Sequence, residues 1–399
     1  MVQPLIALLS TVLPADPRDR SPRAFQDIVG SSLLLRQLAQ VKALGIEHCI
    51  VAVESEGGAL EAAVARAQSS GMHIDIVKNP RQCADLIDTH QDILLLGDGV
   101  FADPALLREL TGYDRPFIAV VDDGPELTAH ERIDINHLWA GIARIPGAIA
   151  RRIGELPDDW NVESALLRYA AQAGLARQRI AQSSLDKQAL LLISDRQSLQ
   201  QARALLLHDT GHGRLTLSER LILDWIGDIT LPYLSALDGW KRAAFTTVPV
   251  ICGLLSLLFA FVGWTIALCI AGLMTLLTQY LSEREQRCLP FSGTRLSAWP
   301  IGPVSVAAAF VLHALYSAAM SAELIGVAMT GGLMITARLD WNSDASPWLW
   351  PDPPVAVAIL GAGAATGLYV WALWTLALIL LALAIARAWR RSGKLATAG

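Results

Sequence analysis

Cysteine is scarce in this chain. Its 399 residues contain five, Cys49, Cys83, Cys252, Cys269 and Cys288, and no two stand in a C-x-x-C pair. Such spacing offers neither a zinc ribbon nor a disulfide framework, so reduced thiols are expected. Charge is also thin, at 17% of residues with a net of −5, which excludes the basic surface that nucleic acid requires. What charge there is crowds ahead of Lys241–Arg242, and between Asp238 and Asp340 there is no aspartate. The apolar residues 4–13 lack a basic flank and a small-residue cleavage site. They read as a first buried strand and not as a signal peptide, which puts the start of the domain in the cytoplasm.

What the chain does contain divides by solvent. Residues 1–205 alternate short β-rich runs with helix-period segments: strands at 5–13, 49–53, 74–77, 92–96 and 117–121, and helices at 32–44, 60–68 and 105–110. This rhythm predicts an α/β domain with a mostly parallel sheet and helices on both faces. Ligands of such sheets sit at the carboxyl ends of strands near a switch point, and Asp98, Asp122 and Asp123 follow strand ends. Residues 139–147 are expected to complete the sheet, 162–172 to form an amphipathic helix, and 190–195 to begin a small subdomain or a tether.

The segments SPRAFQDIVGSSLLLRQL (21–38), KALGIEHCIVAV (42–53) and LLGDGVFADPALL (95–107) resemble sugar-phosphate nucleotidyltransferases. The resemblance covers residues 4–180 and implies that Asp98 helps hold a divalent metal, Mg²⁺, on the nucleotide phosphates. It also sets Arg23 where the family has a phosphate-binding lysine. The chain departs from the family at its phosphate loop, which reads STVLPADPRDR (10–20), with no glycine and two prolines. Glycine permits the close backbone approach that wraps a triphosphate, and proline removes N–H donors. Arg18 and Arg20 remain as side-chain phosphate candidates.

Residues 206–242 read as a junction. His208, Asp209 and His212 have metal-ligand character, but Gly211 and Gly213 argue for a solvated loop. An amphipathic helix follows, carrying Trp225 and Tyr233 and interrupted by Pro232.

Residues 243–390 predict an α-helical transmembrane domain. Runs at 243–264 and 265–281 would turn at Gly263 and Trp264. Residues 301–337 are too long for one crossing and would fold back near Ser317–Ser321. Residues 354–386 would break among Gly361, Gly363 and Gly367, giving six spans, with four long tilted helices as the alternative. Lys241–Arg242, then Arg284, Arg287 and Arg295, then Arg387, Arg390, Arg391 and Lys394 mark cytoplasmic ends, so an inner-membrane, multi-pass topology with both termini in the cytoplasm is expected. Trp348 and Trp350 read as interfacial anchors, and His313 and Glu323 as ionisable groups inside apolar runs.

This domain order resembles the bifunctional inositol-phosphate cytidylyltransferase / di-inositol-phosphate phosphate synthases, whose membrane half is a CDP-alcohol phosphotransferase. That family's mark is D-x-x-D-G-x-x-A-R followed by G-x-x-x-D-x-x-x-D, whose carboxylates hold two metals. The matching place here offers only Glu283 and Glu285. The resemblance therefore implies a divergent, catalytically impaired relative. Such a chain would act as partner or regulator of an active synthase in lipid or phosphoalcohol metabolism, with the bilayer, a nucleotide or phosphoalcohol, or a second copy as partners. An active membrane-tethered nucleotidyltransferase is one alternative. A transporter or lipid-binding module with a regulatory soluble domain is the other.

Overall fold

The computed structural model describes residues 5–16, 19–113, 115–123, 131–211, 223–235, 239–291, 301–317, 320–339 and 353–397. It divides into two compact units, Met1–Leu206 with Leu289–Phe291, and Leu207–Cys288 with Ser292–Gly399.

The first unit is α/β. In chain order its elements are β1 (Leu5–Ser10), β2 (Pro14–Asp16), β3 (Asp19–Pro22), α1 (Leu33–Ala43), β4 (His48–Ala52), α2 (Gly58–Ser69), β5 (His73–Val77), α3 (Pro80–Leu86), β6 (Asp92–Leu96) and β7 (Val100–Ala102). Then come α4 (Pro104–Thr111), β8 (Phe117–Asp122), β9 (His137–Pro146), α5 (Gly147–Ala150), α6 (Val162–Gln172), β10 (Ala176–Arg179), α7 (Gln182–Asp186), β11 (Leu190–Leu192) and α8 (Arg196–Gly211). The helices start where side chains satisfy their free amides. Ser32 accepts from Leu35 N, Asn79 from Gln82 N, Asp103 from Ala105 N, and Asn161 from Glu163 N and Ser164 N. Pro80 and Pro104 open their helices, where a missing N–H costs nothing.

The main sheet has seven strands in the order β10-β8-β9-β6-β1-β4-β5. All neighbours are parallel except β9, which runs antiparallel to both β6 and β8. Strand periodicity sends alternate side chains to opposite cores. Ala7, Leu9, Val51, Leu94 and Leu96 pack with α1, α2 and α4, while Ile6, Leu8, Ile50, Ile93 and Leu95 pack with α3 and α6. Burial on both faces explains the unbroken apolar runs of β1 and β6.

Residues 139–147 do supply a late strand of the sheet, as β9, which lies inside the sheet between β6 and β8. One edge is β10, whose ARQR sequence is mostly exposed and carries no apolar signal. Residues 190–192 are not a tether, because β11 pairs antiparallel with β7 in a small second sheet.

The second unit is helical. Its helices are α9 (Asp224–Ser235), α10 (Gly239–Val262), α11 (Thr265–Cys288), α12 (Ile301–Tyr316), α13 (Met320–Leu339), α14 (Pro353–Ala365) and α15 (Tyr369–Thr397). The reversals fall at Gly263–Trp264, after Tyr316 and at 366–368, where Gly263 and Gly367 take positive φ of 82° and 72°. Pro232 does not end α9, which continues to Ser235. The polar stretch His208–Gly211, expected as a loop, is the last turn of α8. Among the described residues only Thr265–Gln286 is both long and apolar enough to cross a membrane. Thr247–Val262, Val304–Tyr316, Pro353–Ala365 and Tyr369–Ile385 are shorter apolar helices. His212, Trp348, Trp350 and Arg295 lie outside the described residues.

Candidate functional site

The chain leaves β1 toward β4 and β5, then returns to place β6 on the other side of β1. The gap between the carboxyl ends of β1 and β6 is therefore the switch point, where open α/β sheets bind ligands. Two loops meet there: residues 11–13 after β1, and Gly97-Asp98-Gly99 after β6.

Asp98 is 2% exposed. Its Oδ2 accepts a hydrogen bond from Leu13 N at 2.6 Å, and its Oδ1 is buried with no partner. Its own amide donates to Glu163 Oε2 at 3.2 Å, so two carboxylates share the pocket. Glu163 arrives from the first turn of α6, where Asn161 fixes the helix start. Neighbouring backbone locks the loop. Gly97 N donates to Gly141 O at 2.7 Å, and Gln37 Nε2 donates to Gly97 O and Val100 O at 3.2 and 2.9 Å. Gly99 has φ +84° and a Cβ there would lie 2.9 Å from Ile193 O, so only glycine fits.

Burial raises the Asp98 carboxyl to about 7 and the Glu163 carboxyl to about 7. For Asp98 the Leu13 amide pulls downward and Glu163 pushes upward; for Glu163 the Ser10 hydroxyl and the Asp98 amide pull downward. Arg23 lowers both, though more weakly. Its Nε donates to Pro14 O at 2.9 Å and its amide to Leu13 O at 2.9 Å. Arg23 thus ties down the same strap whose Leu13 amide covers Asp98.

The sequence candidates separate accordingly. Asp98 and Arg23 come together. Asp122 and Asp123 do not join them, because antiparallel β9 stands between β8 and β6. Asp122 is instead paired with Arg179 Nε at 3.1 Å, and Asp123 with Arg132 Nη2 at 2.7 Å, both near the surface. Arg18 lies outside the described residues, and Arg20 is described only as backbone of β3. Glu163 escaped the sequence reading, although a glutamate in the first turn after an Asn cap was its visible signal. The pair does not fit Mg²⁺ as arranged. A magnesium ion keeps several waters in near-octahedral geometry, and this carboxylate is sealed under Leu13 with its neighbour driven toward neutrality.

Elsewhere in the first unit, His48, His73 and Asp75 cluster where β4 meets edge strand β5, with His48 Nε2 2.7 Å and His73 Nε2 3.4 Å from Asp75 Oδ2. In the helical unit, Glu283 Oε1 accepts from Gln279 Nε2 at 2.8 Å, while Arg284 and Glu285 are buried. Arg284 packs so tightly on Gly227 of α9 that a Cβ there would meet its Nη1 at 2.1 Å.

No family model matches this sequence, and no curated protein matches it. Solved structures weakly resemble its N-terminal half. A proposed glucose-1-phosphate thymidylyltransferase from Bacillus anthracis, in complex with a sucrose, has 13% identity and TM-score 0.39, covering 50% of this chain and 94% of its own. HddC from Yersinia pseudotuberculosis has 12% identity and TM-score 0.37, covering 50% and 98%.

Proposed function

We propose that this chain is a membrane-anchored, nucleotidyltransferase-like protein whose first unit no longer transfers nucleotides, and that it serves as partner or regulator of an active enzyme of phosphoalcohol or lipid metabolism. One observation carries the reading. The carboxylate at the switch point that matches a metal ligand of the resembled family, Asp98, has an oxygen occupied by Leu13 N and almost no exposure. The strap that covers it is the glycine-free loop, so one sequence change accounts for both the lost phosphate cradle and the closed metal position. The outward faces of α10–α15 support anchoring. Leu254, Leu258, Phe261, Ile270, Trp371 and Leu378 are all more than half exposed, a cost in water that a bilayer removes.

The test is pyrophosphate release by the full-length protein in detergent, with Mg²⁺, CTP or ATP, and a panel of sugar and inositol phosphates. The expected rate equals that of Asp98→Asn. Release that depends on Asp98 would overturn the reading in favour of an active tethered nucleotidyltransferase.

A further inference from the structure

The three reversals of the helical unit meet around one cavity of about 520 Å³. Thr265 comes from the α10–α11 turn, His313 and Ser317 from the end of α12, Glu323 from the start of α13, and Tyr369 and Trp371 from the start of α15. His313 is 8% exposed, Glu323 5% and Tyr369 9%. Each presents a buried polar atom with no protein partner: His313 Nδ1, Glu323 Oε2 and Tyr369 Oη. The opposite edges of these groups are held. His313 Nε2 is 3.2 Å from Thr265 Oγ1, Glu323 Oε1 accepts from the Ser317 hydroxyl, and the His313 and Tyr369 rings meet edge to face at 5.7 Å. Buried polar groups in proteins are nearly always hydrogen-bonded, and three open acceptors converging on one polar space point to a ligand with several donors.

The lining defines the ligand. Among the described residues that line it, Glu323 is the one formally charged side chain, with no lysine or arginine. A phosphate or carboxylate would meet repulsion and find no guanidinium or ammonium to hold it. A bare divalent cation would need more oxygen ligands than one carboxylate supplies, in a smaller space. A primary ammonium has three N–H donors, and the three open atoms can each accept one, with the His313 Nε2–H donating to Thr265. The faces of Tyr369 and of the exposed Trp371 add cation–π attraction at the rim. The volume suits a small organic molecule and is ample for an amine with its carbon stem.

We infer that this cavity binds a primary alkylammonium group, with Glu323 as counter-ion and His313 and Tyr369 as orienting acceptors. The ammonium can come from a free amine or from an aminated lipid headgroup, since both present the same donors. The proposal is independent of whether Asp98 binds metal.

The experiment titrates the full-length protein by calorimetry. One arm, in detergent, uses ethanolamine. The other uses nanodiscs of phosphatidylcholine with phosphatidylethanolamine added, against nanodiscs with phosphatidylglycerol added, read by thermal stability. Saturable binding in either arm is expected, and the responding arm names the source. Glu323→Gln should weaken it at least tenfold and Tyr369→Phe severalfold, while Asp98→Asn leaves it unchanged. If Glu323→Gln fails to fold, Tyr369→Phe decides by the same criterion. No binding in either arm, equal response to phosphatidylglycerol, or affinity unaltered in the folded variants would overturn it.

Discussion

At the scale of single residues, buried charge governs the first unit. Arg144 of β9 donates to Asp92 Oδ2 of β6 at 2.8 Å, and its Nη1 donates to Tyr113 O at 2.7 Å. Both side chains are about 95% buried, so each is desolvated and depends on the other. Removing one partner of such a pair costs about 3–5 kcal/mol, whereas replacing both with apolar residues is often neutral. Arg144→Met should therefore lower unfolding stability by about that amount in a denaturant titration, and the double variant Asp92→Leu/Arg144→Met should recover most of it. The Asp98–Glu163 pair behaves differently, because no cation among the described residues is bonded to it. Each carboxyl titrates near 7 when folded, well above its ordinary value near 4, so the folded state binds the extra proton. That contribution is complete below about pH 4 and is lost as pH rises through about 7. Thermal unfolding of the full-length protein should show stability falling between about pH 4 and 7, and Asp98→Asn should flatten the slope. An unchanged slope would mean the pair is hydrated and open, against the sealed site described above.

At the scale of elements, one glycine shapes the floor of the site. Gly141 lies in the middle of β9 with φ +80°, next to the register shift between Ile118 and Val120. A Cβ there would fall 2.1 Å from Val100 Cγ2. The bulge turns the Gly141 carbonyl to accept from Gly97 N and so fixes the loop that carries Asp98. Gly141→Ala combines a left-handed backbone cost of about 1–2 kcal/mol with overpacking of about 1–3 kcal/mol. A loss of at least about 2 kcal/mol in denaturant midpoint stability is expected, and an unshifted midpoint would show that Val100 yields freely. The same element marks how far sequence could see. Strands β1, β4, β6 and β8 were legible because burial on both faces leaves continuous apolar runs. Helix starts were legible where Ser32, Asp103 and Asn161 cap them. The antiparallel sense and interior place of β9 were not, since direction is set by the route of the chain and not by any local pattern. β10 was invisible because an edge strand of alternating Arg and Gln has no apolar period. Asp98 was found by its motif and its strand-end position, but its seal by Leu13 and its pairing with Glu163 are long-range contacts between residues 65 or more apart.

At the scale of the whole molecule, charge placement in the helical unit has a directional consequence. The three reversals, at Gly263–Trp264, after Tyr316 and at Thr366–Leu368, lie in sequence without lysine or arginine. The other ends of the same helices carry Lys241, Arg242, Arg284, Arg287, Arg387, Arg390 and Arg391. Under the membrane anchoring proposed above, positive charge would stay on the cytoplasmic side, and the reversals with the proposed amine cavity between them would face outward. The shorter helices make this demanding. α14 has 13 residues and α12 has 16, roughly 20 and 24 Å at 1.5 Å per residue, against about 30 Å of hydrocarbon. Local thinning at the reversals, with Trp264 and Trp371 at the interface, would absorb the difference at a fraction of a kcal/mol per Å. Reporter fusions test the arrangement. A reporter active only in the cytoplasm should work after Gly399, and one active only outside should work after Ser317 and after Gly367. Outside activity after Gly399 would mean an odd number of crossings, and cytoplasmic activity at all three positions would mean that α12–α15 do not cross. Either result would move the cavity to the cytoplasmic side, where a free amine and a lipid headgroup could both reach it, or bury it within the bilayer, where only the lipid arm of the amine titration could respond.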